Sequence, residues 1–179
     1  QPVTREEDPR LLTGGGNFLD DVNLNLQAWG YVLRSPHPHA KILSINTSDA
    51  KAAPGVIAVL TGNDWMAEDY GGIPCEEPRK KRDGSPMFHP YRGGLITQRV
   101  RFVGDYVAFV VAETQLQARD AAELIEVDYE PLEPVIGADA ALEVGAPRLY
   151  DHWDDNVLIA SSIVEGDADA AIDRAEHTI

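Results

Sequence analysis

Residues 99–135, RVRFVGDYVAFVVAETQLQARDAAELIEVDYEPLEPV, constrain the fold more than any other part of the chain. They read as strand, turn, strand, helix, strand with almost no linker. Residues 107–111 form a β-branched and aromatic run of the length expected for a buried strand. Thr114 supplies an N-cap and Gln117 follows three residues later, the spacing of a capping box. Ala118, Ala121, Ala122 and Ile125 fall at i, i+3, i+4 and i+7, one apolar face of a short helix. Ile125, Val127 and Tyr129 alternate with Glu126, Asp128 and Glu130, so the next strand buries one face and wets the other. Pro131 and Pro134 stop it. This pattern predicts an α+β fold, and it places no catalytic group.

A shorter version of the same pattern precedes it. Residues 28–34 read as a strand with Trp29, Tyr31 and Leu33 on one face, and the prolines of Ser35-Pro36-His37-Pro38-His39 make a rigid connection. Residues 42–46 give a second strand, Ser48 caps a very short helix through Ala53, Pro54-Gly55 ends it, and residues 56–61 are a third strand. Strand, short helix, strand therefore occurs twice, with no sequence repeat behind it. Residues 13–21, TGGGNFLDD, are turn-rich, and residues 1–27 are expected to be an N-terminal segment of extended chain and turns. Residues 28–135 are the expected core. Residues 62–98 interrupt it as a long irregular insertion with many glycines and prolines and the basic run Arg79, Lys80, Lys81, Arg82. Insertions of that length are functional or mobile. This one is either an inert flap or a segment that orders against a neighbour or covers a site. Residues 136–179 form a C-terminal extension: a short helix at 138–142, closed by Gly145 and Pro147, an extended stretch at 156–164, and a last helix from Asp167 with Ala168, Ala171, Ile172 and Ala175 on one face. Arg174 and His177 are expected in its final turn, where the helix dipole favours positive charge, and Thr178-Ile179 looks like the first step of another strand.

At 179 residues the chain suits one domain, and a chain of this size buries roughly 70% of its unfolded surface, enough for a core without staples. No apolar run approaches the ~20 residues needed to cross a bilayer, and QPVTREEDPR lacks the apolar core of a secretory signal. The chain does not begin with Met and reads as trimmed from something longer. The net charge of −15 is lopsided: from Glu113 onward there are 17 acidic and 3 basic residues, against 13 and 12 before it. Nucleic acid and anionic membrane are therefore not expected partners, since both need a positive field. The acidic half reads as solvated surface, with a docking face for a basic partner as the alternative. The one cysteine, Cys75, excludes a disulfide within the chain and any cysteine-ligated zinc or iron–sulfur site, and fits a cytoplasmic location.

Each candidate for chemistry meets a simpler explanation. Gly14-Gly15-Gly16 follows no strand and lacks both the G-x-G-x-x-G spacing and a Lys-Ser/Thr, so it reads as a tight turn, not a phosphate cradle. His37 and His39 could share a metal, but no third ligand stands near; Asp151 and His152 could join only by the accident of folding. Glu76 and Glu77 beside Cys75 oppose a reactive thiolate. The pairs Asp20-Asp21 and Asp154-Asp155 point apart in a loop, which suits turns and caps. No G-x-S-x-G is present. No residue is expected to be catalytic, cofactor-binding or metal-binding.

Several segments, in order, resemble a known family: TGGGNFLDD, then YVLRSPHPHAKILSINTSDAKAAPGVIAVLTGNDW, then VRFVGDYVAFVVAETQLQARDAAELIEVDYEPLEPV, then Gly166 and Asp167 before the last helix. Together these are similar to the N-terminal α/β hammerhead domain of the large subunit of molybdenum hydroxylases, the xanthine oxidase and aldehyde oxidase family, in the style of the carbon-monoxide-dehydrogenase-like members. The S-P-H-x-H-A, P-G-V-x-A-V-L-T and V-x-Y-E-P-L elements are specific in combination. Gly15 departs from the pattern, where many relatives carry a basic residue. The resemblance covers nearly the whole chain except the irregular insertion 62–98, and it implies an α/β hammerhead with a mixed sheet and short helices. It implies a parent oxidoreductase that hydroxylates aldehydes or N-heterocycles, or oxidises carbon monoxide. In that family molybdopterin and a glutamate base lie downstream, while iron–sulfur clusters and FAD sit on partner subunits or domains. The segment would inherit no catalytic role and no cofactor of its own. Its implied partners are the downstream molybdopterin-binding part, with which it shares an interface and a funnel lined by the insertion, and the iron–sulfur and flavin subunits.

Two other readings remain at this level. A stand-alone interaction or carrier-like module would need an exposed lysine at a hairpin tip, for which Lys80 and Lys81 are the candidates. An independent small enzyme would need a catalytic constellation.

Overall fold

The pattern at residues 99–135 forms as read. In a computed structural model, which describes residues 3, 5–75, 79–80, 83–160 and 165–177, strand β5 (Tyr106–Ala112) leads through helix α4 (Gln115–Glu123) to β6 (Glu126–Pro131). The earlier copy is β2 (Ala40–Asn46), α2 (Ser48–Ala52) and β3 (Val56–Thr61). Strand β1 (Trp29–Arg34) precedes both, and the two-residue β4 (Arg99–Val100) lies between them. The strands make two three-stranded sheets, ordered β1-β5-β3 and β4-β2-β6.

Among the described residues every strand pairing is antiparallel, which corrects the expected mixed sheet within the α+β class. The topology supplies the reason. Each strand–helix–strand unit starts in one sheet and finishes in the other, so the strands flanking a helix never become neighbours. Instead β3 pairs with β5 and β2 with β6, each across the two units. Pro131 falls on β6, an edge strand, where a missing N–H removes no ladder bond from the sheet interior.

Helix α4 lies on the first sheet through the predicted face. Ala118, Ala121 and Ala122 are buried, and Ala121 and Ala122 pack with Ala50, Val59, Ala108, Val110 and Ile125. Small residues let helix and sheet approach closely, and the core is correspondingly thin: its largest fully buried apolar side chains are Val100, Val107 and Val110. A second cluster gathers Ala40, Val100 and Val107, and Ile45 and Val127 pack against both clusters. The N-cap of α4 forms, with the Gln117 N–H donating to Thr114 Oγ1 at 3.2 Å. The reciprocal half of the expected box does not: the Gln117 amide oxygen accepts the Thr114 hydroxyl instead of a backbone N–H.

Four local expectations are corrected. Ser48 lies inside α2, and Asn46 Oδ1 accepts its N–H at 3.1 Å, so the polar cap comes from two residues earlier. The N-terminal segment contains helix α1 (Asp8–Leu12), with a proline in its first turn. The insertion opens with helix α3 (Gly62–Ala67), whose N-cap Thr61 donates both its N–H and its hydroxyl to Asp64 Oδ2 at 2.7 Å, which holds the Asp64 carboxyl below its ordinary range. The last helix, α6 (Ala168–Asp173), ends before His177, and its apolar face is exposed, Ile172 included. Between them α5 (Ala138–Leu142) forms where expected. The expected extension through 161–164 and the strand start at 178–179 lie outside the described residues.

The glycine run closes α1. Gly15 N–H donates to Arg10 O at 2.8 Å and Gly14 N–H to Leu11 O at 3.2 Å, with Gly14 at φ +77°. This is the paired-bond helix terminus that favours glycine at the left-handed position, so the run serves as a stop signal.

Candidate functional site

The densest buried polar ground lies where Ser35-Pro36-His37-Pro38-His39 crosses between the sheets. Ser35, His39 and Asp105 are the buried polar residues there, each at most 6% exposed. Antiparallel pairing of β1 with β5 carries the Ser35 connection past the turn before β5: Ser35 N–H donates to Asp105 O at 2.9 Å and Gly104 N–H donates to Ser35 O at 2.8 Å. The Ser35 hydroxyl accepts His37 N–H and donates to His37 O, folding the connection on itself. Asp105 spends both carboxylate oxygens on backbone, Oδ2 on Arg101 N–H at 3.0 Å and Oδ1 on Tyr106 N–H at 3.2 Å.

The His39 ring sits 2.8 Å from Glu133 O through Nδ1, which therefore carries the proton, while Leu132 N–H donates to His39 O. Its Nε2 is buried with no hydrogen-bond partner among the described residues. The His37 ring leans on Tyr129, with centroids 4.8 Å apart. Burial raises the Tyr129 hydroxyl above its ordinary pKa, partly offset by its hydrogen bond with Ser35.

A second knot ties the insertion to the C-terminal extension. Phe88 is buried, stacks on Trp153 at 4.3 Å and meets Tyr150 and His152 edge-on. Arg101 lies over the Tyr150 ring at 4.3 Å and donates to Leu149 O, while Arg99 grips Asp151 with two bonds of 2.9 and 2.7 Å. Desolvation lowers the Arg101 guanidinium, and the Arg99 hydrogen bonds lower the Asp151 carboxyl. The insertion is thus anchored at Phe88, which sequence reasoning missed; its signal was an aromatic residue facing the aromatic run Tyr150, His152, Trp153.

Chemically these groups are committed. A nucleophile needs a free base within hydrogen-bond reach; here the Asp105 carboxylate and His39 Nδ1 serve the backbone, and the Ser35 hydroxyl is shared between the His37 backbone and Tyr129. His37 rests on Tyr129, Asp151 belongs to Arg99 and His152 meets Phe88. Asp21 accepts Phe18 N–H and Asp155 accepts Val157 N–H, turn roles as expected. Cys75 is exposed. Among the described residues no three His, Cys, Asp or Glu gather as metal ligands, and no helix is long and apolar enough to cross a membrane. The donor set fits neither an iron–sulfur cluster nor a protein-ligated molybdenum, so these side chains support no reaction step through such a group.

Asp105 gives this corner a pH signature. Burial raises its carboxyl above the ordinary 3.8, with the Arg101 and Tyr106 amides opposing. The folded chain therefore holds this proton more tightly than the unfolded chain. Asp105 makes stability fall as pH rises from that ordinary value through its folded pKa. Denaturation of the wild type and of Asp105→Asn between about pH 3.5 and 6 should show the wild type losing stability relative to the variant as pH climbs. A relative gain would show that the carboxylate is favoured by folding.

A family model described as "Aldehyde oxidase and xanthine dehydrogenase, a/b hammerhead domain" matches residues 13–133. The chain belongs to this aldehyde oxidase and xanthine dehydrogenase hammerhead family. It is 40% identical over 153 residues to the carbon monoxide dehydrogenase large chain of Afipia carboxidovorans, covering 86% of this chain and 18% of that one. It is 31% identical to the xanthine dehydrogenase molybdenum-binding subunit of Escherichia coli O157:H7, covering 94% and 22%. Among solved structures, quinoline 2-oxidoreductase from Pseudomonas putida 86 superposes with a TM-score of 0.73 at 42% identity, covering 87% of this chain and 19% of that one. The hammerhead chain thus spans about a fifth of the length of the relatives it matches.

Proposed function

We propose that this hammerhead domain is the N-terminal scaffold of the large subunit of a cytoplasmic molybdenum hydroxylase, an oxidoreductase acting on aldehydes, N-heterocycles or carbon monoxide. The observation that carries this reading is the family match across residues 13–133; beside it stands a corner where the Ser35 hydroxyl, the Asp105 carboxylate and His39 Nδ1 bond to backbone, while His39 Nε2 has no partner among the described residues. In this reading none of its residues is catalytic, cofactor-binding or metal-binding. Molybdopterin and the base that works beside it belong to the polypeptide that follows, and iron–sulfur clusters and FAD to partner subunits or domains. The three divisions are an N-terminal segment at 1–27, the hammerhead core at 28–135 with its insertion 62–98, and an extension at 136–179 leading toward the molybdopterin-binding part. The Phe88–Trp153 stack supports a shared role for the insertion and the extension, which travel together as one wall. Of the two lysines that the carrier reading names, Lys80 sits in a single bridge opposite Pro86, and Lys81 lies outside the described residues.

Reading the coding frame past Ile179 tests the proposal. A continuation of several hundred residues with glycine-rich pterin loops is expected, and a nearby stop codon would overturn it.

A further inference from the structure

The two sheets treat their second faces differently. On the β4-β2-β6 sheet the face away from the core is wet and charged: Glu130 pairs with Lys41 at 3.2 Å, and Glu126 accepts from Asn46 at 3.2 Å. This is the alternation expected of an antiparallel sheet with one solvated face. The β1-β5-β3 sheet breaks that rule. Its inner face carries Val59, Ala108 and Val110 against α2 and α4. Its register sets two further rows on the opposite face: Gly30, Val111 and Ala58 side by side, then Val32, Phe109 and Leu60. Residues opposite one another across a strand pair share a face. Neither row holds an ionisable or hydrogen-bonding side chain, in a chain of net charge −15. None of the six is buried, and Leu60 is 41% exposed. The Phe109 ring covers the place where Gly30 lacks a Cβ, so the rows join into one smooth patch. Apolar strands on both faces are the mark of a sheet buried on both faces.

We infer that this outer face is the seat of the polypeptide that continues the large subunit, which docks an apolar surface on Val32, Phe109, Leu60 and Val111. The inference rests on the proposed function. The occupant is chosen by two facts: the matched relatives are about five times longer than this segment, and the patch offers no charge with which to hold an independently soluble, polar-surfaced subunit.

The test uses the complete polypeptide of the coding frame, expressed without other subunits and carrying no substitutions. Hydroxyl-radical footprinting compares oxidation of Leu60 and Phe109 in the native and the denatured protein. Coverage predicts that native oxidation is slower by at least about tenfold at both residues and independent of protein concentration, whereas an open face with Leu60 41% exposed predicts a factor of about 2 to 3. Native rates near the open-face value in a polypeptide that does continue overturn the inference and leave the proposed function standing. Protection that disappears on dilution assigns the face to a second copy, and protection that needs added iron–sulfur or flavin subunits assigns it to them; either overturns the chosen occupant. A frame with no continuation overturns both readings.

Discussion

Val110→Asp is expected to abolish cooperative folding of the chain, whereas Val111→Asp, one residue further along the same strand, should cost about 1–2 kcal/mol. The two side chains point to opposite faces of β5. Val110 is fully buried in the cluster that includes Ala50, Val59, Ala121 and Ala122, where nothing polar could receive a carboxylate. An unpaired charge there carries an effective penalty of several kcal/mol, and a domain of this kind has only about 5–15 kcal/mol of stability to lose. Val111 lies on the half-exposed outer face, where a carboxylate keeps much of its water. Circular dichroism and urea denaturation of both variants decide the matter. Equal tolerance of the two substitutions, or the reverse order, would mean that the sheet has been assigned the wrong inner face.

Gly62→Ala is the second large effect. Gly62 opens α3 where the insertion leaves β3, and the insertion returns alongside it at Ile96. A Cβ at Gly62 would overlap the Ile96 carbonyl and crowd the Thr97 nitrogen, both backbone atoms that cannot swing aside as a side-chain tip does. Ile96 also packs on the cluster of Ala40, Val100 and Val107, so pushing its backbone away loosens a core contact. A loss of about 2–3 kcal/mol is expected, at the upper end for overpacking. It is read as a lower urea midpoint with an unchanged slope. An unaltered midpoint would show that the insertion moves freely past β3.

These two positions also mark how far the sequence could be read. The α4 face was legible because Ala118, Ala121, Ala122 and Ile125 satisfy a helical period that only burial explains. Strand β6 was legible because its charges alternate. Which strands pair was not, since local periodicity says nothing about partners; the antiparallel exchange between the two strand–helix–strand units depends on contacts between distant segments. Helix α3 was missed because Gly62 reads as a breaker, although Thr61 and Asp64 stood at capping distance. Helix α1 was missed although Pro9 and Gly14 punctuate its ends. At the candidate site the sequence offered His37 and His39 with no third ligand nearby, and the structure sets the His37 ring against Tyr129. The sequence could not show that Asp105 would be buried beside Ser35, because those residues meet only through the β1–β5 register. The Phe88 anchor was invisible for the same reason: its partners lie more than sixty residues away.

On the proposed function, these residues position and shield chemistry that they do not perform. The direct measurement is molybdenum content and aldehyde or N-heterocycle oxidation of the purified 179-residue chain, made in a host that assembles the molybdenum cofactor. The complete large-subunit polypeptide carrying this chain is made in parallel. Metal and turnover are expected only in the complete polypeptide. Stoichiometric molybdenum or turnover in the 179-residue chain alone would contradict the proposed function.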